Sequence, residues 1–252
     1  MADFCPWPGL PAPRNIPLIS LEEHPCPYLP GRVARNRAFV CEQMPADLYH
    51  QCMDASFRRS GKLVYQPVCA GCRACQPIRV PVESFVPSKS QRRAWRRNAD
   101  LMVDVSAPQP TQEKFDLYQR YLLGRHDRSD EQQTPQDFIR FLYDSPVESI
   151  EFAYRLPDTP HALIGVGICD VCEGRSLSSV YFYFDPVHAR RGLGTFSTLW
   201  EIDFARCRKI PHYYLGYFVA GCRSMSYKAQ FRPNQLLHPD GAWRANSLPP
   251  GS

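Results

Sequence analysis

The chain has 252 residues, of which 44% are hydrophobic and 12% aromatic, which is enough apolar side chain for one large or two small globular domains. This composition excludes a disordered tail or linker. The 30 basic and 25 acidic residues leave a net charge of only +5, so any contact with nucleic acid has to come from local clusters of cations.

The cysteine content and the apolar segments bear on the cellular compartment. Eleven cysteines are an odd number, and the first residues, MADFCPWPGLPAPR, lack the apolar core of a signal peptide. No apolar run approaches the roughly 20 residues that a membrane-spanning helix needs. We therefore expect a protein of the reducing cytoplasm, without membrane insertion.

The first 30 residues contain eight prolines, which disfavour a helix and predict an extended arm laid across the folded body. From residue 46 to residue 60 the apolar spacing predicts a short amphipathic helix that Gly61 ends. Strands are predicted at residues 63–65 and 78–80. The cysteine-rich segment 69–75 should then lie in the loop between these two strands.

The next segment, SKSQRRAWRRNAD (88–100), is strongly basic. Between Lys89 and Arg97 it has five cations and one aromatic residue, Trp95, but no acid. A charge run is usually a solvated helix face, but here no acid is spaced to form intrahelical pairs. We expect an RNA-binding surface in which arginines contact phosphates and Trp95 stacks on a base; its cations are Arg92, Arg93, Arg96 and Arg97.

The segment SAPQPTQ (106–112) predicts a domain boundary, because prolines and small residues interrupt the pattern before a helix capped at Thr111. We place an N-terminal domain at residues 1–107 and a C-terminal domain at 108–252. In the second domain, helices are predicted near 111–123, 135–143 and 192–208. Strands are predicted near 150–155, 162–170, 177–184 and 213–218.

The strand near 177–184 and the helix after it frame the most informative turn. Val180, Phe182 and Phe184 alternate with Tyr181, Tyr183 and Asp185, which predicts one buried face and one face with two phenols and a carboxylate. The turn DPVHARRGLGT then leads into a helix with an apolar stripe. The backbone N–H groups at the start of such a helix favour an anion or oxyanion.

The order of these elements resembles the core of the GNAT acyltransferase fold, in which a strand, a glycine-bearing turn, a helix and a further strand follow one another. The usual acyl-coenzyme A signature has Arg or Gln three residues before the first glycine, whereas this chain has Ala189. We therefore expect an α/β protein with a GNAT-like C-terminal domain and a smaller α/β N-terminal domain that carries the cysteine loop. The arginine cluster favours an acyl group carried on RNA, in an aminoacyl-tRNA.

Five sequence blocks make the resemblance more specific: FRRSG (57–61), YQPVCAGCRACQP (65–77), SQRRAWRRNADL (90–101), RRGLGTFSTLWEI (190–202) and YLGYFVAGCRSMSYKAQFRPNQLL (214–237). Together they resemble the arginyl-tRNA–protein transferase family, most closely its bacterial aspartate/glutamate leucyltransferase branch. The resemblance covers residues 24–237. It implies transfer of leucine from leucyl-tRNA to proteins that begin with Asp or Glu, which creates an N-degron, with no cofactor required.

Aminoacyl transfer needs a base and a cationic pocket for the acidic first residue of the protein substrate. Asp185 is our candidate base, with Tyr181 and Tyr183 as orienting groups, although Asp185 could equally begin an Asp-Pro turn. Candidates for the substrate pocket are Arg58, Arg59, Tyr65, Arg223, Tyr227, Lys228 and Arg232. The resemblance ranks Tyr227, Lys228 and Arg232 first, because they lie in the most distinctive block.

The spacing of Cys69, Cys72 and Cys75 is typical of a metal site, and Cys26 could be a fourth thiolate ligand. Eukaryotic relatives have cysteine motifs in comparable places that are associated with an iron–sulfur cluster. A metal site of this kind would need a second N-terminal cysteine at the position that Leu29 occupies. We therefore expect buried thiols without a metal. Cys169, Cys207 and Cys222 are expected to fill the core.

Two alternatives remain at this point. An arginyltransferase acting on the same acidic substrates differs from a leucyltransferase only in the shape and charge of the aminoacyl pocket. A non-catalytic, RNA-binding zinc protein built on residues 57–100 is the alternative from another functional class.

Overall fold

The computed structural model describes residues 9–126, 133–157 and 162–247. Its strands are β1 (Ile19–Ser20), β2 (His24–Pro25), β3 (Val33–Ala34), β4 (Asn36–Val40), β5 (Arg58–Ser60), β6 (Leu63–Pro67), β7 (Gln76–Pro81), β8 (Met102–Ser106), β9 (Ser149–Arg155), β10 (Leu163–Cys172), β11 (Ser176–Phe184), β12 (His212–Phe218), β13 (Gln235–Leu237) and β14 (Trp243–Ala245).

The helices lie mostly where the apolar spacing predicts them. They are α1 (Ala46–Asp54), α2 (Lys89–Arg97), α3 (Gln112–His126), α4 (Pro135–Phe138), α5 (Leu193–Cys207) and α6 (Arg223–Ser226). A π-helical turn (Ile139–Tyr143) continues α4, and 3-10 turns span Pro186–Arg191 and Tyr227–Gln230. None of the helices in the described ranges is long and apolar enough to cross a membrane.

The strands form one large sheet and two small ones. The eight-stranded sheet has the order β14-β13-β7-β12-β11-β10-β9-β8, and the four-stranded sheet has the order β1-β4-β6-β5. Within the described ranges every pairing is antiparallel except that of β11 with β12. The predicted α/β class is confirmed, as is the unit of strand, turn, helix and parallel strand that suggested a GNAT-like half.

Strands from both sides of the predicted boundary share the large sheet. β7 and β8 precede residue 108, yet β7 lies between β13 and β12, and β8 pairs with β9. The division into domains 1–107 and 108–252 stays a prediction. It does not coincide with a boundary between sheets.

The parallel strands β11 and β12 diverge after a short stretch of pairing. Their register runs only from Ser176↔His212 to Ser178↔Tyr214. Past Tyr214 the register of β12 with β7 shifts, and Gly216 adopts a φ of +80°, a conformation that favours glycine. The C-terminal parts of the two strands therefore separate and leave an opening between them.

Apolar helix faces cover both faces of the large sheet. On one face α5 buries Leu193 and Phe196 of its predicted stripe, whereas Trp200 and Phe204 are partly buried and Cys207 at the end of the stripe is exposed. The expectation that Cys207 fills the core is therefore wrong, whereas Cys169 and Cys222 are buried as predicted. On the other face α3, α4 and the turn Ile139–Tyr143 pack over β10 and β11.

That second layer corrects the prediction for the phenol face of β11. Tyr183 is fully buried, and its hydroxyl lies 3.2 Å from the hydroxyl of Tyr143. Tyr181 packs edge-on against Phe141. The phenols do not form an open surface, because aromatic side chains of α3 and of the turn Ile139–Tyr143 cover them.

The predicted helix over 46–60 is wrong beyond Asp54. Ser56 has a φ of +69°, which ends the helix, and Arg58–Ser60 pairs with β6 as the edge strand of the small sheet. The proline-rich arm packs as predicted over its described part, since the backbone oxygen of Leu10 accepts hydrogen bonds from Arg37 and Gln66.

Candidate active site

A cavity of about 760 Å³ occupies the opening between β11 and β12. One wall comes from β11, α3 and the first turns of α5, and the opposite wall comes from β5, β6, β12 and the segment 224–228. Its volume lies within the range of small-molecule and cofactor sites. The two walls differ in chemistry.

Two buried cations, Arg58 and Lys228, characterise the β12 wall. The Arg58 guanidinium donates to the backbone oxygen of Phe57 at 2.6 Å and lies over the ring of Tyr217, 5.4 Å from its centroid. Its Nε is buried and has no hydrogen-bond partner. No carboxylate pairs with Arg58 in the described part of the chain, so an excess positive charge faces this wall.

Lys228 is held beside Arg58. Its Nζ donates to the backbone oxygen of Tyr217 at 2.8 Å, and its side chain is buried. Burial, followed by the positive charge of Arg58, lowers the pKa of Lys228 to about 7. A carboxylate entering the cavity would relieve the repulsion between the two cations and favour the protonated form of Lys228.

The neighbouring Arg59 has a different environment from Arg58. Successive residues of a strand point to opposite sides, and Arg59 forms a bidentate pair with Asp170, with distances of 2.7 and 2.6 Å. Arg59 also lines the cavity, but Asp170 neutralises its charge. Tyr65 and Tyr227 also line the cavity.

Two candidates from the last sequence block lie outside the cavity. Arg232 does not line it, and its guanidinium donates to the backbone oxygen of Asn246 at 3.3 Å. Arg223 is exposed on α6. Of the substrate candidates, the structure thus brings together Arg58, Arg59, Tyr65, Tyr227 and Lys228.

The opposite wall is largely apolar. It consists of Tyr121, Leu122, Phe141, Val180, Phe182, Phe184 and Leu193. The rings of Phe182 and Phe184 stack at 5.7 Å, and Tyr121 packs against Phe184 at 5.5 Å. This part of the cavity suits an aliphatic or aromatic side chain, and Glu201 is the one acidic residue among the lining residues that the structure describes.

Glu201 is buried at the base of the cavity and accepts several hydrogen bonds. Ser197 Oγ donates to it at 2.6 Å, the Tyr213 hydroxyl donates as well, and Cys169 contributes a third. Burial raises the pKa of Glu201, and these donors oppose that rise because they stabilise the carboxylate. Glu201 was not predicted from the sequence; its i,i+4 spacing from Ser197 within an apolar helix was the available signal.

The start of α5 also faces the cavity. Gly192, in the left-handed conformation with a φ of +70°, precedes the helix, and Gly194 and Thr195 of its first turn line the cavity. The Thr195 N–H already donates to the backbone oxygen of Gly192, but the first N–H groups of a helix in general lack intrahelical acceptors and carry a partial positive charge. They can orient towards a developing oxyanion or a phosphate of the aminoacyl donor.

Asp185 lies away from the cavity lining. Its carboxylate accepts from the backbone N–H of Val187 at 3.1 Å and from Arg120 at 3.0 Å. It therefore caps the 3-10 turn that begins at Pro186, which agrees with the interpretation of Asp185 as the start of an Asp-Pro turn. Tyr183 is buried beneath α3, and only Tyr181 of the two predicted phenols reaches the cavity wall.

The basic helix α2 presents its arginines to solvent. Ser88 and Gln91 form a capping box at its start, and Arg92, Arg93, Arg96 and Arg97 are exposed. Arg97 donates to the backbone oxygen of Arg190, which brings a further cation to this surface. Trp95 is only partly exposed, because it stacks on Trp200 with ring centroids 5.7 Å apart.

The four predicted thiols lie near enough to one another to interact electrostatically. Burial raises the pKa of Cys75 to about 12, and the neighbouring Cys69, Cys26 and Cys72 add to the rise. All ten cysteines in the described ranges are free thiols. Over the same ranges no group of three or more His, Cys, Asp or Glu residues is positioned to hold a metal ion.

Known proteins resemble this chain in sequence over most of its length. The family model for the N terminus of arginine-tRNA-protein transferases matches residues 24–93, and the model for the C terminus matches residues 113–238. An aspartate/glutamate leucyltransferase of Stenotrophomonas maltophilia (strain K279a) is 43% identical over 224 residues, which is 87% of this chain and 89% of the relative. Another from Hahella chejuensis (strain KCTC 2396) is 39% identical over 89% of this chain and 95% of its own.

Among solved structures, that of FemX overlaps with a TM-score of 0.49 at 8% sequence identity. The overlap covers 81% of this chain and 69% of that one.

Proposed function

Since this chain belongs to the arginine-tRNA-protein transferase family, we propose that it transfers leucine from leucyl-tRNA to proteins whose first residue is Asp or Glu. The family and the enzyme class, an aminoacyltransferase that uses aminoacyl-tRNA and protein substrates, were predicted from the sequence blocks and are confirmed. The observation that carries the finer proposal is the pair of buried cations, Arg58 and Lys228, in a cavity whose opposite wall is apolar.

The cationic wall supports an acidic acceptor. A carboxylate beside Arg58 would receive a charge-assisted hydrogen bond from a guanidinium that has no acidic partner of its own in the described residues. Lys228 would add a second, flexible donor, which can follow a carboxylate through the one-methylene difference between Asp and Glu. Asn or Gln would leave both cations without a counter-charge.

The apolar wall supports leucine over arginine as the donor amino acid. A bound arginyl group would place a guanidinium in this cavity and needs a carboxylate partner. Glu201 is the acid available among the described lining residues, and it already accepts from Ser197, Tyr213 and Cys169. A leucyl side chain against Phe182, Phe184 and Val180 needs no such partner.

The reaction itself needs alignment more than activation. The α-amine of the acceptor attacks the ester carbonyl of leucyl-tRNA, a C–N bond forms and the ester C–O bond breaks. The ribose oxygen leaves as a hydroxyl, and the proton that the amine loses balances the proton that this oxygen gains. No electrons are transferred to or from a redox partner, and the ester is already activated. We therefore propose that the enzyme requires no cofactor and acts by positioning and oxyanion stabilisation.

The amine must lose a proton, and Ser197 and Glu201 are placed to take it. The Ser197 hydroxyl donates to Glu201 and accepts from Tyr154 at 3.0 Å, which leaves its second lone pair for an N–H of the substrate. A proton passing from the amine to Ser197 Oγ releases the hydroxyl proton to Glu201. The raised pKa of Glu201 makes it a stronger base near neutral pH than an exposed carboxylate.

The aminoacyl-tRNA is proposed to bind across α2, where exposed arginines can contact its phosphates. Because charged tRNA and newly exposed protein N-termini meet in the cytoplasm, we propose that compartment for the enzyme. The products would be recognised as N-degrons.

A transfer assay with four peptides tests this proposal. Labelled leucine should move from leucyl-tRNA to peptides that begin with Asp or Glu, and not to matched peptides that begin with Asn or Lys. Preferential use of arginyl-tRNA would contradict the leucine assignment and leave the acidic acceptor intact. Equal transfer to the Asp and Asn peptides would contradict the role of the cationic wall.

A further inference from the structure

A second cavity, of about 310 Å³, lies between α2, α5 and the segment 85–87. It opens on the far side of α5 from the first cavity. Thr195, Thr198 and Glu201 line the first cavity, whereas Leu199, Ile202 and Arg206 line the second. We refer to it below as the α2–α5 pocket.

The floor of the α2–α5 pocket is apolar, and two aromatic side chains contribute to its lining. Phe85, Leu199 and Ile202 are buried parts of the core, and Trp95 lies at its side. Trp200 stacks on Trp95 with an angle of 16° between the rings but does not line the pocket. The indole is therefore held rigidly from behind, and another part of its surface faces the pocket.

Three cations, Arg92, Arg96 and Arg206, surround this apolar floor. Arg92 donates to the backbone oxygen of Pro87 at 2.6 Å, so its guanidinium is held at the mouth of the pocket. Asp203, the one acid among the described lining residues, pairs with Arg206 at 3.3 Å. An excess of positive charge at the edge of a small apolar pocket is complementary to a flat aromatic group that carries phosphates.

We propose that the α2–α5 pocket receives one unpaired nucleobase of the bound tRNA, which packs against Trp95 while Arg92 and Arg96 contact the adjoining phosphates. Base stacking on an aromatic side chain within a basic surface is how proteins hold single-stranded nucleic acid. An α-helix with its side chains is about 10–12 Å across. The two cavities on either side of α5 are therefore within reach of a few nucleotides of the single-stranded end that carries the amino acid.

This inference rests on tRNA being the donor, but not on which amino acid the tRNA carries. The sequence suggested that a base stacks on an open indole. Because Trp200 covers one face of Trp95, we propose instead that the base enters the pocket beside it. A purely apolar protein segment is disfavoured as the occupant by the three arginines around the pocket.

The test measures binding of uncharged tRNA with 2-aminopurine, whose fluorescence falls on stacking, placed at successive positions of its single-stranded 3′ end. At one position the fluorescence should fall on binding to the wild type and stay unchanged with Trp95→Ala. Trp95→Ala should weaken binding roughly 5- to 100-fold without changing the slope of log affinity against log salt. Arg92→Gln with Arg96→Gln should flatten that slope.

A second variant guards against a folding defect in Trp95→Ala. Leu199→Trp fills the pocket and leaves Trp95 and the arginines in place, so it should also weaken binding and abolish the fluorescence change. Arg244→Gln, an exposed cation that lines neither cavity, is the matched control and should leave both unchanged. If folded Trp95→Ala and Leu199→Trp both keep wild-type affinity for tRNA and wild-type quenching, the proposal is overturned. The pocket would then be free to bind another ligand, such as a protein segment.

Because neither leucine nor peptide is present in this assay, its result is independent of the proposed transfer reaction. A variant that loses quenching but keeps its specificity for leucine, or one that keeps quenching but loses that specificity, separates the pocket proposal from the transfer proposal.

Discussion

At the scale of single residues, the most consequential feature is that Arg58 and Lys228 are buried side by side. Neither has a carboxylate partner among the described residues. Burying an unpaired charge opposes folding, so a core evolved for stability alone would not retain this pair. Retaining it is consistent with a site whose counter-charge arrives with the substrate.

Replacing Lys228 with Met should therefore stabilise the protein while it impairs function. Lowering the pKa of Lys228 from 10.5 to about 7 corresponds to a penalty of roughly 3–5 kcal/mol at neutral pH. Losing the hydrogen bond to Tyr217 offsets about 1–3 kcal/mol of the gain. Chemical denaturation should give a net increase in the free energy of unfolding at pH 7, with weaker transfer to acidic peptides.

The pH dependence identifies the cause of that stabilisation. A lysine whose folded pKa is lowered destabilises the protein fully below about pH 7, and the penalty disappears as pH rises towards 10.5. The advantage of Lys228→Met should accordingly shrink between pH 7 and pH 10. A constant advantage over this range would point to packing instead of charge.

The same residue predicts how acceptor binding depends on pH. In the free enzyme Lys228 loses its proton through about pH 7, so affinity for an Asp peptide should fall as pH rises above that value. The matched Asn peptide has the same amine but no carboxylate, and its binding should not show this fall. Calorimetric titrations of both peptides between pH 6 and pH 9 measure the difference; parallel curves would contradict a role for Lys228.

Glu201 permits a separate test of proton transfer. Glu201→Gln should lower kcat by about 10²-fold or more at every pH, because the relay through Ser197 loses its acceptor. The KM for the Asp peptide should change little, since Glu201 lies apart from the cationic wall. Steady-state kinetics on folded protein decide this, and a kcat within twofold of wild type would remove Glu201 from the mechanism.

At the scale of elements, the approach of β10 to α5 positions Glu201. A Cβ on Gly167 would lie 2.7 Å from Glu201 Oε1 and 3.1 Å from Ser197 Oγ, so a larger residue at this strand position would force the Glu201 carboxylate to move. On the same strand, a Cβ on Gly165 would meet only ring carbons at ordinary contact distances of 3.5–3.6 Å. The two glycines form a matched pair.

Gly167→Ala should displace the Glu201 carboxylate and lower kcat, while Gly165→Ala should stay close to wild type. Misplacing a catalytic group by about 1 Å can cost 10²-fold. Single-turnover rates of leucine transfer, compared with thermal midpoints for both variants, separate misplacement from unfolding. An equal loss of activity in the two variants would show that a disturbed strand, and not a displaced Glu201 carboxylate, causes the loss.

At the scale of the whole molecule, the large sheet links the two halves of the chain. Ile78 and Val80 of β7 are fully buried, and β7 lies between β12 and β13. A fragment spanning 108–252 lacks this strand, which leaves the edges of β12 and β13 that face β7 unpaired and part of the core missing.

We therefore expect fragment 108–252 to lack cooperative unfolding when it is produced alone, and to recover it when co-produced with fragment 1–107. Calorimetry and near-ultraviolet circular dichroism of the separate and combined fragments measure this. A sharp, cooperative transition in the isolated C-terminal fragment would instead support an independent domain at that boundary.

Local patterns in the sequence determined much of the fold. The apolar spacing from Leu193 to Phe204 predicted α5, and the alternation in β11 predicted its strand, because both depend on residues that are neighbours along the chain. The helix over 46–60 was predicted too long, since pairing of residues 58–60 with β6 outweighs their helical spacing.

The contents of the cavity depended on contacts between distant residues, which no local pattern encodes. Arg58 and Arg59 are adjacent and chemically identical, yet Asp170, 111 positions away, neutralises only Arg59. Asp185 looked like a base from its strand, but the turn it caps and its pair with Arg120 occupy its carboxylate.

The sequence by itself therefore determined the family, the secondary structure of most segments and the residue types that the reaction needs. Only the tertiary structure decided which cations lack an acidic partner, which acid lies at the base of the cavity and where β11 and β12 separate. The physical reason is that a side chain's charge and burial are set by the groups that surround it. For Arg59 the deciding group is Asp170, which lies 111 residues further along the chain.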